Sequence, residues 1–209
     1  LDIGCGEGDL AAMMSIAGAK KVRGIDYSIK AINISNERHN FENLSFDCVD
    51  GRDVCELYDV IVMAGVLEHI DDPFLMLNNL IKNNLRRNGV LITASPSFLN
   101  PRGYVWMTLQ ILLDVPMSLS DIHFFSPDDF NKFGEKYSFS VNNSTISHDW
   151  GGGDKTILDF RKRLVNALSD TKLNNKKVEQ FLDWMKIAIP YFEHTEDSGA
   201  IMITKIANL

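Results

Sequence analysis

The sequence predicts an α/β fold, a doubly wound and mostly parallel seven-stranded sheet with helices on both faces. Three observations lead there. Short apolar runs alternate with stretches of helical periodicity as far as Ser95, the rhythm of a parallel sheet with crossover helices. One of these runs, YDVIVMA at 58–64, reads as a continuous apolar segment, as expected for a central strand covered on both faces. The opening decamer, LDIGCGEGDL, sets Gly4, Gly6 and Gly8 at alternate positions between a strand end and a helix start. A ligand can approach bare backbone there, and the helix offers its N-terminus to an anion.

Taken in order, residues 1–3 read as the end of strand one. Strands run about five to six residues, so a further N-terminal piece is expected ahead of Leu1. Residues 9–17 read as a helix and 21–25 as strand two. Ser28 is placed to cap a helix running to 40. Residues 44–49 form strand three, with Leu44, Phe46 and Cys48 alternating, and 58–64 strand four. A helix over 73–85 carries Leu77, Leu80 and Ile81 on one face; Gly89 is read as its stop, and 90–95 as strand five. Within 96–119 a short helix holds Tyr104, Trp106, Leu109, Ile111 and Leu112, read first as a core helix and otherwise as an apolar wall or membrane-touching lid. Ser126 caps a helix from 127 with Phe130 and Phe133 inward. Strands six and seven are expected at 139–146 and 200–206.

Two amphipathic helices are expected between these last strands. One spans 154–168, with Ile157, Phe160 or Arg161, Leu164, Val165 and Leu168 at helical spacing. The other spans 177–189, with Val178, Phe181, Leu182 and Met185. They are bounded by Gly151-Gly152-Gly153 and Pro190. The chain thus reads as a single domain, 1–209, with a helical insertion over 151–195 that serves as a lid or a dimer surface. The basic residues Arg161, Lys162, Arg163, Lys172, Lys176 and Lys177 read as a solvated face.

The composition narrows the function. Of 209 residues 45% are hydrophobic and 23% charged, enough to bury an ordinary core. The net charge of -7 argues against a nucleic-acid surface. Cys5, Cys48 and Cys55 form no CxxC pair, and an odd number cannot all pair, so a reduced, cytoplasmic setting is expected. No signal peptide or spanning apolar run is evident.

The glycine loop admits two ligand classes, dinucleotides and S-adenosylmethionine. Gly4-x-Gly6-x-Gly8 lacks the GxGxxG offset of a dinucleotide site. Asp2, two residues ahead of the first glycine, can attract an ammonium group. Asp26 ends strand two about 20 residues on, where an acid can accept from both ribose hydroxyls. Each position also has a local reading. The glycines can be purely conformational, Asp26 a cap or turn residue, Asp50-Gly51 an ordinary turn, and Cys5 a small filler between glycines.

With AGVLEHIDDP at 64–73 and NGVLITASPS at 88–97, residues 1–133 resemble class I S-adenosylmethionine-dependent methyltransferases. The resemblance implies a Rossmann-like methyltransferase fold whose last strand is antiparallel. It implies S-adenosylmethionine as cofactor, S-adenosylhomocysteine as product, and cofactor-side roles for Asp2, Gly4, Gly6, Gly8, Asp26, Asp50 (toward adenine) and Ala64. LEH at 67–69, the long bridge from Pro96 and a later His123 before Phe-Ser-Pro resemble the ubiquinone-biosynthesis O-methyltransferases. That implies a small-molecule acceptor, methylated at oxygen, of lipophilic character, with His69 or His123 as base and a homodimer as one assembly. The plain alternative for either histidine is a hydrogen-bonded structural role.

Small-RNA 2′-O-methyltransferases hold a metal with a similar Glu-x-x-Glu-His plus His set. Here Gly65 stands where the first Glu would be, leaving Glu68, His69 and His123. No metal is therefore assigned, and the RNA enzyme is kept as the rival reading beside a cofactor-binding module without turnover. His39, His148 and His194 show no partner pattern and read as surface residues.

Overall fold

The computed structural model describes residues 1–116, 120–146, 154–192 and 198–209. Gly151-Gly152-Gly153, His148 and His194 lie outside the described residues. In chain order the elements are β1 (Asp2–Ile3), α1 (Asp9–Ile16), β2 (Val22–Asp26), α2 (Ile29–Arg38), β3 (Leu44–Cys48), β4 (Tyr58–Ala64), α3 (Pro73–Asn83), β5 (Leu85–Pro96), α4 (Pro101–Leu113), α5 (Pro127–Tyr137), β6 (Phe139–Ile146), α6 (Asp154–Asp170), α7 (Val178–Ala188) and β7 (Ile201–Asn208).

They divide into two compact units. Leu1–Ser95, Pro127–Asn143 and Ile203–Leu209 make up one, and Pro96–Ser126 with Ser144–Met202 the other. The helical unit is thus larger than the 151–195 insertion, because the stretch carrying α4 belongs to it.

The sheet order is β3-β2-β1-β4-β5-β7-β6, with every pair from β3 to β5 parallel. Strand order reverses between β1 and β4. In an open parallel sheet that reversal opens a crevice beyond the strands' carboxyl ends. Toward the far edge, Thr204 bonds Asn143 at 2.7 Å and Gly199 bonds Thr145 at 2.9 Å. The partners run in opposite order along β7 and β6, so that pair is antiparallel, as the resemblance implied.

The centre of the sheet is dry. Ile3, Ile25, Ile61, Met63 and Leu91 are all buried, although the first half of YDVIVMA is not covered as expected, since Asp59 and Val60 are exposed. Over one face α3 turns in Leu77, Leu80 and Ile81, and α5 buries Phe130 and Phe133 against Phe74. Ala11, Val22, Ile32 and Phe46 form a smaller cluster. On β3 the expected alternation holds for Phe46 but fails at Cys48, which is exposed because β3 is the sheet edge.

One boundary differs from expectation. The third helix ends at Asn83 and β5 starts at Leu85, so Gly89 lies inside the strand and does not stop the helix. Asn84 makes the switch. Its buried amide group donates to Val54 O at 2.8 Å and Glu56 O at 3.2 Å, and Tyr58 N–H donates to Asn84 O at 2.8 Å. Tyr58 pairs with Leu85 and Val60 with Val90, so the intervening residues of β5 bulge.

In the helical unit, Ile157, Phe160 and Leu164 of α6 meet Val178, Leu182 and Met185 of α7. Phe160 is the buried member of the Phe160/Arg161 pair, while Arg161 reaches Glu179 at 2.9 Å. Val165 is more than a third exposed. Asn100 caps α4 by accepting from Gly103 N–H at 2.9 Å. The helix is only in part the core element expected, with Leu109 packed against the buried cluster that holds Trp106. Trp106 is buried against Phe160, but Tyr104, Ile111 and Leu112 are 69%, 67% and 72% exposed. Apolar residues surround α4, and only one face can turn inward. Arg163 is less free than a solvated face would have it, lying over the Trp106 ring at 4.5 Å. Among the described residues no helix is long and apolar enough to cross a membrane.

Candidate functional site

Between β1 and α1 the chain turns through three left-handed glycines, Gly4, Gly6 and Gly8, with φ of +70°, +54° and +86°. The amides of Gly4 and Cys5 both donate to the Ile25 carbonyl, at 2.8 and 3.0 Å, so the loop is fastened to β2. Gly8 N–H donates to Cys5 O at 2.9 Å, and Gly8 then starts α1.

The three glycines are not equivalent. A Cβ on Gly8 would sit 2.5 Å from Phe46 Cζ and 2.9 Å from Ser35 Cβ, and one on Gly4 2.5 Å from Val66 Cγ2. Both positions exclude side chains because of the protein's own packing. A Cβ on Gly6 would meet nothing within 4 Å. Gly6 is the one that leaves open space over the loop.

Two carboxylates flank it. Asp2 is 1% exposed. It accepts from Ala11 N–H, yet its Oδ2 has no partner among the described residues. Burial pushes the Asp2 carboxyl up to about 6, against the pull of the Ala11 amide, and nearby Asp26 adds to the rise. A buried carboxylate with an idle oxygen suits a cation. Asp26, at the end of β2, is nearly buried. Its Oδ2 accepts from Gly6 N–H at 3.0 Å and its Oδ1 from Ser28 N–H at 2.8 Å. Ser28 in turn caps α2, accepting from Ala31 N–H at 3.3 Å. Asp26 therefore has the turn role its alternative reading gave it, and each oxygen keeps a further lone pair for a ligand hydroxyl. Cys5 stands between these acids. Burial, with Asp2 and Asp26 adding to it, pushes its thiol up to about 12, which suits a filler and not a nucleophile.

The other candidates fall less closely together. Asp50 starts a short 3₁₀ turn, and both its oxygens are taken by Arg52: Oδ1 by the backbone N–H and Nε at 2.9 Å each, Oδ2 by a guanidinium NH₂ at 2.6 Å. These bonds hold its carboxyl down at about 2. Ala64 ends β4 opposite Ala94, and the chain then turns at Gly65, φ +68°, whose N–H donates to Ala94 O at 2.9 Å. Only Glu68 Oε1, at 3.9 Å, lies near where a Gly65 side chain would begin.

The turn Leu67–His69 follows. It buries Glu68, whose Oε2 is 3.5 Å from Ser95 Oγ, and leaves His69 exposed. His69 belongs to the sheet unit. His123 belongs to the helical unit, where it is half-buried and stacks on Phe125 at 5.6 Å. Among the described residues no group of three His, Cys, Asp or Glu side chains is placed to hold a metal ion. His39 is not the plain surface residue expected. Its side chain is 15% exposed and meets Asp9 at 3.2 Å. The left-handed turn at Gly65 and the Ala11 amide's bond to Asp2 were not read from the sequence. A glycine directly after an apolar strand was the available signal for the first, and the second has none.

Comparison with known proteins fits this arrangement. A ubiquinone biosynthesis O-methyltransferase of Neisseria meningitidis is 29% identical over 131 residues, covering 58% of this chain and 54% of that protein. A ribosomal protein L11 methyltransferase of Aquifex aeolicus is 38% identical over 77 residues, 36% of this chain and 31% of the relative. The chain spans about half the length of the ubiquinone-pathway relatives it matches. Among solved structures, a Thermotoga maritima S-adenosylmethionine-dependent methyltransferase, described as a possible histamine N-methyltransferase, superimposes with TM-score 0.59 at 14% identity, covering 100% of this chain and 80% of that one. The plantazolicin methyltransferase BpumL in complex with SAH gives 0.55 at 17% identity, covering 100% and 75%. At such identities these establish the fold. A family profile described as a methyltransferase domain matches residues 1–122, more than half of the sequence, and the chain belongs to that family.

Proposed function

We propose that this chain is an S-adenosylmethionine-dependent methyltransferase acting on a small-molecule acceptor at oxygen. One observation carries the cofactor reading: the buried Asp2 carboxylate, with an unpartnered oxygen, at the foot of a loop whose central glycine opens onto free space. The donor set fits the group. Asp2 takes the ammonium of the methionyl part, Gly6 leaves room over the loop, and Asp26 accepts from the ribose while holding the Gly6 amide. When bound, the sulfonium supplies the activated methyl group. The chain's task is to align the acceptor and take its proton.

His69 is our choice for that proton. It is exposed on the turn that follows β4, at the carboxyl edge of the sheet. Oxygen as the acceptor atom is supported by the ubiquinone O-methyltransferases among the relatives. Asp50 keeps its carboxylate on Arg52, and the adenine end is not assigned to it.

Calorimetric titration with S-adenosylmethionine, S-adenosylhomocysteine and NAD in parallel tests the reading. Micromolar binding of the two sulfur ligands and none of NAD is expected. Failure of both sulfur ligands to bind overturns it. A phenol and catechol panel with labelled methyl donor then tests the acceptor atom, and label appearing only on nitrogen or carbon acceptors refutes the assignment to oxygen.

A further inference from the structure

A groove of about 420 Å³ lies within the helical unit, on α4, α6, α7 and the residues just ahead of α7. That size falls in the range of small-molecule sites. None of its lining belongs to the glycine loop or to the turn after β4. Val105, Leu109, Leu164, Leu168, Val178 and Phe181 make its walls apolar.

Its polar members are few: Lys177, Asn174, Thr108 and Tyr104. Among the described residues Lys177 is the only charged side chain of the lining, and no ion pair joins it to another of them. Asn174 spends its Oδ1 on Lys176 N–H, at 2.9 Å, which leaves its NH₂ group as a donor. Thr108 donates its hydroxyl to Tyr104 O at 2.7 Å. Among the described residues the lining therefore combines apolar walls with an ammonium, an amide NH₂ and the hydroxyls of Thr108 and Tyr104, and holds no carboxylate.

We propose that this groove binds an amphipathic anion, an apolar body carrying one carboxylate or similar acidic head, with the body against α4 and α7 and the head paired to Lys177. The walls supply most of the affinity, since the buried methylenes of a tail together outweigh one solvated ion pair. Lys177 supplies the choice of charge. This site stands whether or not the chain transfers methyl groups, because it shares no residue with the cofactor rim.

The test uses the full chain and two probes of equal tail length, dodecanoate and dodecyltrimethylammonium, each below its critical micelle concentration, measured by calorimetry. Dodecanoate is expected to bind with 1:1 stoichiometry and at least threefold more tightly than the cation. Lys177→Glu, a change at an exposed position, is expected to reverse that order. Thr108→Trp, also exposed, fills the groove and is expected to weaken both probes at least tenfold, with an unchanged circular dichroism melt showing the fold intact. Equal binding of the two probes, an order untouched by Lys177→Glu, or dodecanoate affinity untouched by Thr108→Trp would each overturn the proposal. Uptake of many dodecanoate molecules per chain would do the same, by showing adsorption to exposed apolar surface and not a site.

Discussion

Gly6 and Gly8 make a matched pair of perturbations, because both sit in left-handed backbone yet differ in what surrounds them. Alanine at either position carries the left-handed penalty, about 1–2 kcal/mol for an L-residue. At Gly6 nothing follows, since the new methyl has no neighbour within 4 Å. At Gly8 it arrives 2.5 Å from Phe46 Cζ and 2.9 Å from Ser35 Cβ. Both neighbours are buried, so the ring must move within a packed cluster, at a cost of about 1–3 kcal/mol. Gly8→Ala should therefore lose about 2–5 kcal/mol of unfolding free energy, and Gly6→Ala only about 1–2 kcal/mol. The ligand effect should run the other way. Gly6→Ala puts a methyl in the open space and should weaken S-adenosylmethionine by about tenfold or more, while Gly8→Ala, measured where it remains folded, should stay within a few-fold of the parent. Urea unfolding and calorimetric titration read the two quantities separately. A double variant adding Phe46→Leu should recover part of the Gly8→Ala loss, with a coupling of about 1 kcal/mol between the contacting sites. Parental affinity in Gly6→Ala, or equal stability of the two single variants, would refute the division of the loop into packing and ligand glycines.

Asp2 makes stability and binding respond oppositely to pH. Its folded value of about 6 lies above the ordinary 3.8, so the unliganded fold loses stability as pH rises from about 4 to about 6, by about 3 kcal/mol at most, and stays at that lower level above. Affinity for a cationic ligand should instead rise through the same interval, and Asp2→Asn should flatten both profiles in pH-resolved melts and titrations. Asp26→Ala should weaken cofactor binding strongly, as the sequence suggests, but it should also cost about 1–3 kcal/mol of stability, because the Gly6 and Ser28 amides lose their acceptor. Denaturation with and without ligand separates the two effects. Asp50→Ala should shift affinity far less than Asp26→Ala does, since Arg52 already holds its carboxylate; a loss as large as that of Asp26→Ala in the same titration would restore Asp50 as a ligand contact. Once an acceptor is found, His69→Gln should lower kcat by about 10²–10⁴-fold while leaving cofactor affinity unchanged, and steady-state kinetics showing no fall in kcat would remove it as the base.

Much of the sheet unit is written in local pattern. YDVIVMA spans β4 from end to end, Ser28 caps α2, and 139–146 is β6, because dry strands, caps and alternation are carried by neighbouring residues. The boundary at Asn83 was hidden because it depends on Asn84 reaching Val54 and Glu56, carbonyls some thirty residues back. The exposure of α4 was hidden for a related reason. A helix apolar all round announces burial without saying which face finds a partner, and Trp106 found Phe160. At the site, Asp2 and Asp26 stood out by their spacing from the glycines. The difference between Gly6 and Gly8 did not, because it rests on Phe46 and Ser35, which approach from β3 and α2. The Asp50–Arg52 chelate was within local reach, two residues apart, and the turn reading of Asp50 was the better half of that alternative.

The Ile25 carbonyl accepts from two successive amides, those of Gly4 and Cys5, while Asp26 beside it takes the Gly6 amide. Three consecutive donors are thus anchored to two consecutive residues of β2, a strand paired on both sides, and the loop cannot shift without tearing the end of that strand. Its shape is set before any ligand arrives, so the entropy of ordering it falls on folding and not on association. Capture of the ligand should then approach the speed of unhindered encounter, with no slow rearrangement of this loop visible in rapid-mixing traces, and amide exchange at these three positions should be as slow without ligand as with it.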